Sequence, residues 1–255
     1  MAVSVDTVYQ RVLAILNKEQ RGFVTPQEFN LFANQAQLDI FEQYFYDINQ
    51  YGRVPGNDTQ YSDMLNILNE KINLFETNAA MVYNAVTNYW STPANLYRLG
   101  TVVYGNEVTS LSLYPTPNTS VTTTNYVEAE RTSYNAYLSI AQSEYLKPTN
   151  SRPVFVANQS GYRIYGSEVA NNAEKITNVS TNYIRVPLEA AWGYQMVYGE
   201  ALYDPTTSVN FELHDSEETE LVIKVLEFAG LAIKDIQMYQ IANSIETQTN
   251  QQEKQ

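Results

Sequence analysis

Apolar positions recur at helical spacing near the two ends of this chain and at strand spacing in its middle. Val5, Val8, Tyr9, Val12, Leu13 and Leu16 follow the i, i+3, i+4, i+7 pattern of an amphipathic helix, and Gly22 stands where that helix should end. Thr25-Pro26-Gln27-Glu28 predicts a second start: a capping box, with proline at the first helical position. Thr25 is expected to cap the amide of Glu28, and Glu28 to reach back. The apolar face then runs Phe29, Phe32, Ala33, Ala36, Ile40, Tyr44 and Ile48. Gly52, Pro55 and Gly56 predict a loop over Tyr51–Asp58. A third helix carries Tyr61, Met64, Leu65, Leu68, Ile72 and Phe75.

From Pro93 the period shortens towards two. Thr101–Tyr104 and Glu107–Tyr114 flank Gly105-Asn106, which predicts a hairpin with a two-residue turn. Val154–Ala157 and Tyr162–Tyr165 flank a second turn at Asn158–Gly161, and Thr181–Val186 reads as another strand. Trp192, Tyr194, Met196 and Tyr198 alternate, as do Val209, Phe211 and Leu213, so both stretches are expected to be strands. Thr132–Ser143 predicts a short helix, and Pro115–Asn125, rich in Thr, Asn and Ser, an exposed loop. The helical period returns with Leu221, Val222, Val225, Leu226 and Ala229, capped by Asp215 or Ser216 and closed by Gly230. A last helix from Asp235 carries Ile236, Tyr239, Ala242 and Ile245, and a wholly polar tail follows from Thr247. These patterns predict an α+β fold in three regions: N-terminal helices over 1–92, a central antiparallel β part over 93–214, and C-terminal helices and tail over 215–255.

Composition narrows the chemistry. With no cysteine the chain has no disulfide, thiolate metal site or cysteine nucleophile, and its single histidine, His214, rules out multi-histidine sites. A formal net charge of −13 disfavours nucleic-acid binding, which needs clustered Lys and Arg. No apolar run reaches the roughly 18 residues of a membrane span, and the opening residues lack the basic start of an export signal. The 21 tyrosines supply amphipathic side chains suited to protein interfaces, and equally to strands.

Asp215, Glu217, Glu218 and Glu220 could suggest a glycosidase pair, but they open a helix, where the dipole favours acids. Glu128 and Glu130 share a strand face, which suits an acid pair or a calcium ligand set; without an EF-hand-type loop a solvated face is preferred. His214 has no Gly-x-Ser-x-Gly elbow to serve, and no phosphate-binding glycine loop is present. Arg152, Arg163 and Arg185 are expected to pair with carboxylates on the surface or at a subunit contact. No catalytic, cofactor or metal site is predicted.

The opening segment VDTVYQRVLAILNKEQRGFVTPQEFNLFANQAQLDIFEQYFYDINQY resembles the N-terminus of virion structural proteins of crAss-like and related marine tailed phages. LYRLGTVVY, NYIRVP followed by WGY, and FELHDSEETELVIKVLEFAGLAIKD are similar to later parts of the same ring, or head–tail adaptor, family. The resemblance implies a non-catalytic subunit of a cyclic homo-oligomer in the virion neck or tail, assembled in the host bacterial cytoplasm. Its implied partners are copies of itself, the portal protein and other tail or ring proteins, with DNA passing through the channel without specific binding and no membrane involved. The stripe Ile236, Tyr239, Ala242 and Ile245 is the expected partner contact, with packing inside its own subunit as the alternative. Two other readings remain: a tail-associated carbohydrate- or receptor-binding module, suggested by the β part and its aromatics, and a hydrolase resting on the carboxylates alone.

Overall fold

A computed structural model describes residues 2–18, 24–51, 63–112, 119–166, 178–233 and 244. In chain order its helices are α1 (Val5–Lys18), α2 (Pro26–Tyr51), α3 (Met64–Asn73), α4 (Tyr134–Ala141) and α5 (Glu218–Ile233). Its strands are β1 (Glu76–Ala80), β2 (Tyr83–Asn84), β3 (Tyr89–Trp90), β4 (Leu96–Ser112), β5 (Thr119–Arg131), β6 (Val154–Asn158), β7 (Gly161–Tyr165), β8 (Asn178–Arg185), β9 (Tyr194–Val197) and β10 (Glu200–Tyr203). The architecture is α+β, as the change of period predicts.

Contacts group the chain into two compact units, one of residues 1–75 with 187–255 and one of 76–186, so the N-terminal helices belong with the C-terminal third. These limits differ from the three regions of changing period. A change of period marks where local geometry changes, whereas a compact unit is defined by which segments share a core.

The first unit holds α1, α2, α3, α5 and the β9–β10 hairpin. Val5, Val8, Tyr9, Val12 and Leu16 are buried on α1, and Phe29, Ala33, Ala36, Ile40 and Tyr44 on α2. Both predicted faces are therefore largely core, with Leu13, Phe32 and Ile48 at their half-buried margins. Phe41 is also fully buried and packs edge-on against Phe45 and Phe75, with centroids 5.2 and 4.9 Å away. The capping box forms: Thr25 N donates to Glu28 Oε2 at 2.9 Å, and Glu28 N donates to Thr25 Oγ1 at 3.3 Å.

A polar stripe beside the apolar one on α2 holds the returning chain. Asn34 Nδ2 donates to the Ala190 carbonyl at 3.0 Å while its Oδ1 accepts from Ala190 N at 2.8 Å. Asn30 makes the same pair of bonds to Trp192, at 3.4 and 2.8 Å. Gln37, buried, donates to the Leu188 carbonyl at 2.7 Å and accepts from Glu212 N at 3.1 Å. Side-chain amides thus bond both backbone groups of Ala190 and Trp192 and the Leu188 carbonyl, while Ala191 bridges to the Val209 backbone and Leu188 N donates to the Glu212 carboxylate.

The second unit is an eight-stranded sheet in the order β1-β8-β4-β5-β6-β7-β3-β2, antiparallel except where β5 meets β6. Its core gathers Trp90, Val102, Tyr104, Ala129, Phe155 and Tyr162. The β6–β7 turn is as predicted, and Gly161 is required there: its φ is +129°, and a Cβ would lie 2.2 Å from the Trp90 carbonyl oxygen.

Several expectations are corrected. Gly105-Asn106 is not a turn, because β4 runs straight through it, pairing Gly105 with Tyr126 and Asn106 with Asn125, and Gly105 also with Asn178 of β8. A ladder on each side overrides a local turn signal. The chain reverses between Ser112 and Thr119, so Thr119–Asn125, expected as loop, is strand. Strands begin at Glu76 rather than after Pro93, because β8 supplies the partner for β1. Trp192 lies outside β9, and Tyr198 is in its turn. Phe211 and Leu213 are buried but form no extended strand. Gly230 is buried inside α5 rather than ending it. Gly22 and the loop after Tyr51 lie outside the described residues.

Two stability tests follow from these bonds. Thr25→Ala should cost about 1 kcal/mol in thermal or denaturant unfolding. Hydrogen bonds from the Thr25 backbone and then its side chain hold the Glu28 carboxyl below its ordinary range. That contribution is fully present above the unfolded glutamate pKa and lost as pH falls through the folded one, so the deficit should shrink in acid. Asn34→Ala strips both backbone partners from Ala190 and should cost about 2 kcal/mol. A loss within error of zero would mean that the stripe does not hold the returning segment.

Candidate functional site

The acidic cluster at the head of α5 is tied into the first unit. His214 caps a single 3-10 turn, Asp215–Glu217, that leads into the helix: Ser216 N donates to His214 Nδ1 at 3.3 Å, and Ser216 Oγ lies 2.9 Å from the same atom. The cap is therefore His214 rather than Asp215 or Ser216. Glu217 is buried and pairs with Lys71 Nζ at 2.5 Å. Glu218 pairs with Arg11 at 2.9 Å. Lys71 also lies 5.5 Å from the centre of the Tyr44 ring. Burial, and then the charges of Glu217 and Glu220, push the Tyr44 hydroxyl far above its ordinary range, so it stays neutral. These groups join α1, α2, α3 and α5.

In the second unit a shallow cleft lies at the junction of β5 and β6. Val102 and Phe155 lie buried at its floor, and Glu128, Glu130, Arg131 and Arg152 stand exposed at its rim. Glu128 and Glu130 share a strand face as their spacing predicts, flanking the buried Ala129. Two guanidiniums offset their charge, and the described residues contain no cluster of three potential metal ligands. Arg163 lies 5.3 Å from the Tyr165 ring centre, and Arg185 is half-buried in β8. The three arginines therefore have separate surroundings.

Exposed apolar side chains are the other prominent feature. In the first unit, Leu31 is 71% exposed and Tyr198 fully so. Tyr198 sits at the tip of the β9–β10 hairpin with φ at +53°, beside Gly199 at +88°. A non-glycine residue there sacrifices backbone energy to place its ring at the tip. The hairpin base is held by Asp204, whose carboxylate accepts from Thr206 N, Thr206 Oγ1 and Gln195 Nε2 at 2.9, 2.6 and 2.8 Å. The Thr206 side chain leads in holding that carboxyl below its ordinary range. Trp192, beneath the hairpin, stacks on Tyr194, lies 4.1 Å from Tyr9 and donates its indole N–H to Asp6 at 2.9 Å. In the second unit Val86 and Tyr145 are more than nine-tenths exposed, and Tyr137 stacks on Tyr165 at 3.7 Å with Tyr134 beside it.

Ile236, Tyr239, Ala242 and Ile245 lie outside the described residues, as does the polar tail. Sequence reasoning missed the amide stripe of α2, although Asn30, Asn34 and Gln37 follow helical spacing as clearly as the apolar face does. Among the described residues, no helix is long and apolar enough to cross a membrane. No protein-family model matches this chain, and no curated protein matches it significantly.

Breaking the Lys71–Glu217 pair tests the structural role of the acidic cluster. Lys71→Met leaves a carboxylate buried without its cation and should destabilise the protein by about 3 kcal/mol. Adding Glu217→Leu should restore most of the loss in chemical denaturation. A neutral Lys71→Met would free the cluster for another role.

Proposed function

We propose that this protein is a structural ring or adaptor subunit of a bacteriophage head–tail connector, joining portal to tail and continuing the DNA channel. The supporting observation is the display of large apolar side chains, led by Tyr198, Tyr145 and Val86, on an acidic chain. Such groups are stable in water only at a cost and gain most when another protein covers them. The acids and histidine that suggested chemistry cap and pair helices instead, which leaves the connector reading ahead of the hydrolase. A cyclic assembly would need two complementary lateral faces and axial contacts, for which the stripe Ile236, Tyr239, Ala242 and Ile245 is the proposed axial element. The net charge of −13 suits a channel wall that DNA passes without sticking.

The exposed Tyr134, beside the half-buried Tyr137–Tyr165 stack, favours a second reading, a carbohydrate- or receptor-binding tail module, because an accessible ring can serve as a sugar platform. Electron microscopy of the purified protein with its cognate portal separates the two. Closed rings seated on the portal are expected. A monomer that ignores portal and tail proteins but binds glycans through Tyr134 would overturn the connector reading. A chain ending before Asp235 should stay folded yet fail to join the portal.

A further inference from the structure

Among the described residues, no strand covers one edge of β5 over most of its length. On one side β5 pairs with β4 in unbroken register from Val102↔Ala129 to Ser112↔Thr119. On the other, β6 meets it only at Glu130 and Arg131. Glu130 N donates to the Pro153 carbonyl at 3.0 Å and Thr132 N to the Phe155 carbonyl at 3.0 Å, so both residues turn their backbone groups away from β4. Backbone direction alternates along a strand. In an unshifted ladder, therefore, Ser120, Thr122, Thr124, Tyr126 and Glu128 also direct N–H and C=O outward, where no strand lies among the described residues.

This edge lacks the usual protection. Natural open edges carry lysine, proline or a bulge, or are kept short. Residues 119–127 read TSVTTTNYV, with no charge, proline or glycine and many β-branched residues, and the ladder with β4 has no register shift. A two-stranded ribbon such as Asn106–Ser112 with Thr119–Asn125 is marginal alone and gains from a third strand.

We propose that the outer edge of β5 is a strand-pairing site for β5 of a second copy of this chain, in antiparallel register. Charge selects that occupant. The protein has 28 acidic and 15 basic side chains, so two copies repel over most of their surfaces, and an uncharged edge is where they approach at least cost. The edge is also self-complementary. With Thr124 at the twofold axis, Thr122 faces Tyr126 of the second copy and Ser120 faces Glu128, while the carboxylates of the two copies stay at opposite ends. Main-chain bonds supply the attraction, as in other strand-addition contacts. This site does not depend on the connector reading.

Residue-resolved amide exchange of the full chain over a concentration series, with sedimentation in parallel, tests the site. In dilute protein the amides of Thr122, Thr124 and Tyr126 should exchange fast while those of Thr123 and Asn125, bonded to β4, are slow. On association the first set alone should gain protection. Thr122→Pro removes an outward N–H and spares the β4 ladder, and Thr124→Lys sets like charges face to face. Each should raise the concentration needed for association by about tenfold or more, with Thr123 and Asn125 still protected as proof of fold. The proposal is overturned if copies associate while the outward amides stay fast, or if both folded variants associate like the parent. A protein that stays monomeric throughout also overturns it, as does protection that arises only when another virion protein is added.

Discussion

The first unit depends on a row of side-chain amides. Residues 188–192 return to α2 at positions 151 to 162 beyond their partners there, and among the described residues only Ala191 of that segment bridges to another backbone, at Val209. Asn30, Asn34 and Gln37 bond Trp192, Ala190 and the Leu188 carbonyl from one helix face. The bonds set the axial position of the returning chain, which places Trp192 against Tyr9 and under the β9–β10 hairpin. Because an amide offers donor and acceptor a fixed distance apart, it reads the polarity of a peptide bond as an apolar contact cannot. The apolar face of α2 supplies most of the burial energy; the amide stripe decides which segment is buried and in what register.

The head of α5 follows the same logic with charge. Glu217 is buried against Lys71 of α3, and Glu218 meets Arg11 of α1. Buried ion pairs stabilise weakly in net terms but penalise every arrangement that separates the partners. The acids that look like candidate chemistry in the sequence thereby select a packing of helices.

The second unit follows a different rule. Its long strands β4 and β5 pair with each other in unbroken register, and part of their ladder continues past the last residue paired with β8, Gly105. Ladder bonds can sustain a polar Thr-rich strand that apolar burial alone would not, but they leave an edge needing a partner or protection. The rings of Tyr145 and Tyr198 are likewise exposed.

The parts legible in the sequence were those in which a residue answers only to near neighbours. The α1 and α2 faces, the Thr25–Glu28 box, the α4 segment and the Asn158–Gly161 turn each depend on interactions within a few positions, and each formed as its spacing predicts. The departures were decided from far away. Gly105-Asn106 carries a turn signature, yet β8 and β5 hold it extended; Glu76–Ala80 has little strand character, yet β8 pairs with it. Asn30, Asn34 and Gln37 carry no signal in the sequence of the peptide groups they bind, which come from the chain returning beyond residue 187. Local sequence sets conformational preferences of about a kilocalorie per mole or less per residue, whereas a ladder bond or a satisfied buried amide depends on which distant segment arrives. The sequence by itself therefore determined the amphipathic faces, the caps and the α+β class. Only the tertiary structure decided which segments share a core, where the long ribbon turns, and which strand edge is left open.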